Sequence, residues 1–122
     1  MGTADNERPC RDGTWGAEYY RIKPQPGDIE VGKSRYSSFV NTPLDFYLKS
    51  RRDLDTLVVC GLTTECCVET TVRDAFVRDY HVFIPHDGTA AYSHDLHDVS
   101  LKVLGIYFAS IVSTDQILAC WQ

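Results

Sequence analysis

Thr56-Leu57-Val58-Val59-Cys60-Gly61-Leu62-Thr63-Thr64-Glu65-Cys66-Cys67-Val68 is the stretch on which the fold turns. Residues 56–60 form a continuous apolar, β-branched run closed by Gly61, the pattern of a strand buried on both faces of a parallel sheet. Beyond a short turn, Val68, Val72, Ala75 and Phe76 recur at i, i+4, i+7 and i+8. That period predicts a helix from near residue 67 to about residue 79.

Working outward, His81-Val82-Phe83-Ile84-Pro85 reads as a second strand ending at the turn-forming His86-Asp87-Gly88. Residues 95–108 read as a helix with Leu96, Val99, Val103, Leu104 and Tyr107 on its apolar side. Ser110-Ile111-Val112 is a last short strand, and Thr114 is positioned to cap a final helix. Upstream, residues 1–27 are Gly-, Pro- and charge-rich and read as loop. Asp28-Ile29-Glu30-Val31 alternates with period two, predicting a short strand that delivers Lys33 at its end. Thr42-Pro43 is a helix start, with the helix expected to end near Arg52. Strands alternating with helices over short connections imply an α/β fold: a three-layer αβα sandwich around a mostly parallel, Rossmann-like sheet. Neither repeats nor a linker divide the chain, so one domain over 1–122 is expected.

Composition narrows the classes of function. The 122 residues are 43% hydrophobic and 24% charged, the balance of a globular domain rather than a disordered or collagenous chain. Even the run 103–112 is broken by Gly105 and Ser110, so a membrane span is not expected. The start is polar and carries Asn6 where a myristoylation signal needs Ser or Thr, which predicts a cytoplasmic, unlipidated protein. With 12 Lys+Arg against 17 Asp+Glu and no basic stripe, nucleic acid is an unexpected partner. The five cysteines include no Cys-x-x-Cys spacing, which points to a reduced protein without a zinc framework.

Ligands of such sheets bind beyond the carboxyl ends of the strands. There the chain places Cys67 at the first turn of a helix, whose partial positive charge and free amides lower a thiol pKa and can hold an oxyanion. Cys67 is thus a candidate nucleophile, although the same position also suits an inert buried thiol. His94 and His97 with Asp95 and Asp98 read as a solvated helix start rather than a metal site.

Residues 61–75, from Gly61-Leu62-Thr63-Thr64 through Cys67-Val68 to Thr71 and Asp74-Ala75, resemble the nucleophile segment of the isochorismatase-like cysteine hydrolases. Lys23 to Lys33, then Arg35-Tyr36-Ser37-Ser38-Phe39 and Asn41-Thr42-Pro43-Leu44-Asp45, resemble the lysine segment of that family. With Gly13-Thr14-Trp15, this wording is most similar to its ureidoacrylate amidohydrolase and N-carbamoyl amidase members, and the resemblance covers about residues 9–118.

The resemblance implies a Cys-Lys-Asp triad that hydrolyses an amide or carbamoyl bond through a thioester, without cofactor or metal. Cys67 matches the nucleophile and Lys33 the lysine, which otherwise reads as a solvated strand-end residue. The N–H groups of Thr63 and Cys67 match the oxyanion hole, with a cis peptide expected at Leu62-Thr63. Thr64, Cys66, Tyr36 and Phe39 are expected around the substrate, though Tyr36 and Phe39 also suit the core; Glu65 is a candidate for substrate choice. Family members open with an apolar strand ending in the triad aspartate. No such strand precedes Gly13, and Asp5, Asp12 and Asp28 do not replace it, so the family's first strands and its aspartate are expected to be missing. Two readings follow: an amidohydrolase acting on a small amide or ureido substrate, and an inactive family member serving as an assembly or regulatory subunit. Either is expected to be a homo-oligomer.

Overall fold

Apolar β-branched runs make the strands here, and amphipathic segments return the chain between them. The computed structural model describes residues 10–122; Asp5 and Asn6 lie outside them. The elements are a 3₁₀ turn at Trp15–Ala17, α1 (Leu44–Lys49), β1 (Thr56–Val58), β2 (Gly61–Leu62), a π-helical turn (Thr64–Val68), α2 (Glu69–Phe76), β3 (His81–Pro85), β4 (Thr89–Ala90), α3 (His94–Tyr107), β5 (Ser110–Val112) and α4 (Thr114–Cys120). Among the described residues, no helix is long and apolar enough to cross a membrane.

Two compact units divide at Glu30 and Val31. In the first, the Tyr19 hydroxyl donates to Glu30 Oε1 at 2.6 Å. A turn joins Gln25 to Asp28: the Asp28 N–H donates to the Gln25 carbonyl at 3.0 Å, and the Gln25 N–H to Asp28 Oδ2 at 2.7 Å. The strand expected at residues 28–31 does not form. Period-two alternation becomes a strand only with a ladder partner, and none pairs with it among the described residues; Asp28 serves the turn and Ile29 is half exposed.

In the second unit, β1, β3 and β5 form a parallel sheet in the order β1-β3-β5, with Thr56 opposite His81 and Phe83 opposite Ser110. β2 and β4 pair in parallel just beyond it, Gly61 opposite Thr89. The two ladders are joined by the Val59 N–H donating to the Phe83 carbonyl and the Gly61 N–H to the Gly88 carbonyl, both at 3.0 Å. Two glycines make this junction possible. Gly61 has φ +119°, which an L side chain rarely adopts, and a Cβ on Gly88 would stand 2.7 Å from Pro85 Cγ.

One sheet face carries Val82 and Ile84 against α2 and α3, burying Val68, Val72, Ala75, Leu101 and Leu104. Each Val, Leu or Ile among them contributes about 1.5–3 kcal/mol on full burial. Phe39 and Tyr80 stack at 6.2 Å beside them. On the other face, α4 sets Ile117, Cys120 and Trp121 around a cleft shared with Val58 and Phe83. Parallel strands with helices on both faces are the α/β arrangement expected.

Several boundaries and faces differ from expectation. β1 is not buried on both sides: it is the edge of the sheet, and Val58 stays 37% exposed. α1 stops at Lys49 rather than Arg52, and Asp53 takes φ +63°. α2 stops at Phe76 rather than Asp79, because Asp79 adopts φ +68° and the Tyr80 N–H closes onto the Ala75 carbonyl at 3.1 Å. α3 buries Ser100, Leu101 and Leu104, leaving Leu96, Val99 and Tyr107 outside. The cap of α4 is Ser113, in a reciprocal capping box with Gln116, while Thr114 donates from N and Oγ1 to Asp87 Oδ1 at 2.8 Å each.

This assignment of the α3 face is tested by denaturant unfolding. Leu104→Ala, at a position with no exposed surface, is expected to cost about 2–5 kcal/mol. Val99→Ser, outside the core, is expected to cost less than about 0.5 kcal/mol.

Candidate functional site

The site is built at the carboxyl end of β2. The peptide bond between Leu62 and Thr63 is cis, as the resemblance implies. Thr63 is extended (φ −99°, ψ 149°) and its carbonyl accepts from the Cys66 N–H at 3.1 Å and the Val68 N–H at 3.2 Å. The chain therefore enters the helix through a π-helical turn at Thr64–Val68, before α2 begins at Glu69. Cys67 sits in this turn, half-buried, and not in the first turn of a regular α-helix. The Thr70 hydroxyl donates to the Cys66 carbonyl at 2.7 Å, holding the turn from its helical side.

Lys33 reaches the same region from a non-strand segment. Its Nζ donates to the carbonyls of Arg35 at 2.9 Å and Tyr36 at 3.3 Å, which curl the chain around the ammonium. Just beyond, the Ser38 N–H donates to Thr71 Oγ1 at 3.0 Å, and the Thr71 hydroxyl donates to Ser38 Oγ at 3.2 Å. Thr71 lies on α2 one turn past Cys67, so the lysine segment is tied to the helix that follows the thiols. Ser37 is buried beneath this junction.

The Cys66 thiol feels this arrangement. Burial pushes the Cys66 thiol above its ordinary range, with the neighbouring Cys67 and then Glu65 adding to the rise, while the Lys33 charge opposes it. Lys33 is thus within electrostatic reach of the two-cysteine turn. All five cysteines are free thiols.

The remaining expected residues separate. Thr63, Thr64 and Cys66 stand with Cys67 in one turn. Tyr36 is exposed beside the Lys33 loop, whereas the Phe39 ring is buried against Tyr80, with the Arg78 guanidinium 4.8 Å from its centroid. Glu65 Oε1 accepts from the Tyr92 N–H at 3.5 Å, and Glu65 Oε2 is buried with no hydrogen-bond partner among the described residues.

His97, read from sequence as part of a solvated helix start, is half-buried, its Nδ1 2.8 Å from Thr64 Oγ1. Glu69 was also missed: Oε1 accepts two bonds from Arg73, and Oε2 accepts from Ser100, joining α2 to α3. The 69/73 spacing of opposite charges was a readable signal for the first contact, but nothing local pointed to Ser100. No group of three His, Cys, Asp or Glu side chains among the described residues could hold a metal. A cleft of about 250 Å³ lined by Thr89, Tyr92, Ser93, His94 and His97 flanks the turn. A larger cavity of about 550 Å³ lies where β1, β3 and β5 begin, at the opposite ends of the strands from the thiols.

The charges around Cys66 set a titration test by pH-dependent alkylation with mass-spectrometric site mapping. The alkylation midpoint of Cys66 is expected to lie above the usual value of about 8.5 for a free thiol. Glu65→Gln removes a negative charge and should lower that midpoint; Lys33→Met removes a positive one and should raise it further.

Comparison with known proteins identifies the family and the fold. The Isochorismatase domain model matches residues 2–116. Ureidoacrylate amidohydrolase RutB of Methylobacterium radiotolerans is 43% identical over 105 residues, covering 84% of this chain and 40% of its own. The protein of the same name from Variovorax paradoxus is 41% identical over 96 residues, covering 78% of this chain and 36% of its own. The chain therefore spans about 40% of the length of these curated relatives. Among solved structures, an isochorismatase-like hydrolase from Alkaliphilus metalliredigens superposes with TM-score 0.84 at 37% identity, over 90% of this chain and 61% of that one. N-carbamoylsarcosine amidase from Thermoplasma acidophilum gives 0.76 at 32% identity, over 89% and 62%. A family model running through both the lysine segment and the two-cysteine turn, with relatives that share the parallel sheet, means that this chain belongs to the isochorismatase family.

Proposed function

We propose that this chain carries the thiol-bearing part of a hydrolase that cleaves C–N bonds of small amide or ureido substrates. The observation that supports this most is the joining of two separate segments: Cys67 in a turn just past β2, and Lys33 held within electrostatic reach of that turn by its own loop carbonyls. The names of the ureidoacrylate amidohydrolase and N-carbamoylsarcosine amidase relatives agree with the substrate class.

In this reading, Cys67 Sγ attacks the substrate carbonyl carbon and a C–S bond forms. Negative charge developing on the carbonyl oxygen is met by the N–H groups of Thr63 and Cys67 and by the positive field of Lys33. The C–N bond then breaks, and the leaving nitrogen departs carrying the proton that the thiol gave up. Water cleaves the thioester, its hydroxyl passing to the acyl carbon and its proton back to Sγ. Cys66 and Tyr36 border the space in which the substrate lies, and the buried Thr64 and Phe39 support it from beneath. Assembly as a homo-oligomer belongs to the proposal, supported by Leu96, Val99, Ile106 and Tyr107 exposed along α3.

Ammonia release from a panel of ureido and primary amides tests the proposal. Cys67→Ser is expected to lower turnover roughly a thousandfold or more, and Lys33→Met is expected to lower it while leaving the fold intact by circular dichroism. Activity indifferent to Cys67→Ser would remove the thiol from the mechanism. A folded wild-type chain inactive on the whole panel would favour the assembly-subunit reading instead.

A further inference from the structure

Thr64 has no exposed surface, and a hydroxyl in that position needs a partner. It finds one outside its own turn: Thr64 Oγ1 and His97 Nδ1 are 2.8 Å apart. The other ring nitrogen, Nε2, lies 3.1 Å from the His86 carbonyl oxygen. A carbonyl only accepts, so Nε2 must carry hydrogen. In the neutral ring, Nδ1 then has only its lone pair to offer, and the Thr64 hydroxyl donates to it. The result is a directional relay, Thr64 O–H to Nδ1 and Nε2–H to the His86 carbonyl, that spans the turn after β2, the first turns of α3 and the end of β3. His97 is itself fixed on α3, its N–H donating to the Ser93 carbonyl at 3.1 Å.

We infer that His97 is a positioning residue for the Cys67 turn, acting through the Thr64 hydroxyl. The inference rests on the reading of Cys67 as nucleophile. Thr64 begins the π-helical turn three residues before Cys67 and directly follows Thr63, whose N–H is assigned to the oxyanion. One hydroxyl therefore sets the path of the backbone between the two groups that must act together. The bonds from the Cys66 and Val68 N–H groups to the Thr63 carbonyl restrain the turn from within. His97 restrains it from α3, and no other side chain among the described residues hydrogen-bonds Thr64 Oγ1.

Alkylation of the purified chain by iodoacetamide at neutral pH, mapped at each cysteine, tests this independently of substrate. Thr64→Val and His97→Gln break the relay at Nδ1, the glutamine keeping a donor for the His86 carbonyl. Thr64→Ser keeps the hydroxyl, and the carbonyl oxygen of His97→Asn can take the place of Nδ1. The expected result is a Cys67 rate about tenfold lower in the first pair and within about twofold of wild type in the second, with Cys10 and Cys120 unchanged in all four. Equal Cys67 rates in Thr64→Val, Thr64→Ser and wild type would overturn the inference, as would equal losses in Thr64→Val and Thr64→Ser. If wild-type Cys67 reacts no faster than Cys10 and Cys120, the nucleophile reading itself falls. Nitrogen NMR of the His97 ring separates the cases, because it does not depend on thiol reactivity. A neutral Nε2–H ring supports the relay, whereas a ring protonated at Nδ1 at neutral pH refutes it.

Discussion

Parallel pairing of β1 and β2 with β3 and β4 is the constraint on which the rest of the second unit depends. Parallel strands send all their carboxyl ends to one side of the sheet, so the segments that follow each strand meet there. The two-cysteine turn follows β2, the His86-Asp87-Gly88 turn follows β3, and the Ser113 cap follows β5. They are cross-linked where they meet. The Gly61 N–H donates to the Gly88 carbonyl, and Asp87 Oδ1 accepts both the N–H and hydroxyl of Thr114. Those two bonds hold the Asp87 carboxyl below its usual range. Because a depressed carboxyl favours the folded state above its unfolded pKa, this tie between the β3 turn and α4 weakens as acid protonates the group.

The thiol turn sets two opposed electrostatic effects on Cys66. Burial, a neighbouring thiol and Glu65 all disfavour a thiolate at Cys66, and the charge of Lys33 acts against them. A charge on only one of two adjacent sulfurs is cheaper than a charge on both, by the same reasoning that separates paired carboxylates. Among the described residues, the Lys33 ammonium is held by two backbone carbonyls rather than by a carboxylate. Carbonyl partners leave the positive field of Lys33 uncancelled, which a salt bridge would not.

Much of this was legible in the sequence because it is local. Apolar runs at 56–60 and 81–85 mark β1 and β3, and the helical period from Val68 marks α2; the two-residue strands β2, read as the turn after residue 60, and β4 are too short to carry a pattern. The cis bond at Leu62-Thr63 came from the resemblance. Where the reading failed, the missing information was tertiary. The alternation at 28–31 has no ladder partner among the described residues, so it stays outside a sheet. On α3, two stripes are nearly equally apolar. The one that is buried includes the polar Ser100, because Glu69 on α2 provides a partner for its hydroxyl. His97 reads as a solvent-facing residue of an acidic helix start until Thr64 and the His86 carbonyl are brought to its two nitrogens.

A further pattern joins these misses. The apolar core is small, built around Val72, Ile84 and Leu104 with their neighbours, and hydrophobic contact has little directional preference. What sets direction at the site is a group of hydroxyls: Thr64 to His97, Thr70 to the Cys66 carbonyl, Thr71 to Ser38 and Ser100 to Glu69. Each such bond adds only about 0.5–1.5 kcal/mol net, less than one buried Leu. Yet each is short-ranged and angular, and all four act on the turn or on the first turn of α2. Packing therefore accounts for the presence of the fold, and these hydroxyls account for where Cys67 and Lys33 stand within it. Serine and threonine carry no periodic signal of their own, which is why the element pattern was readable while the fine placement of the site was not.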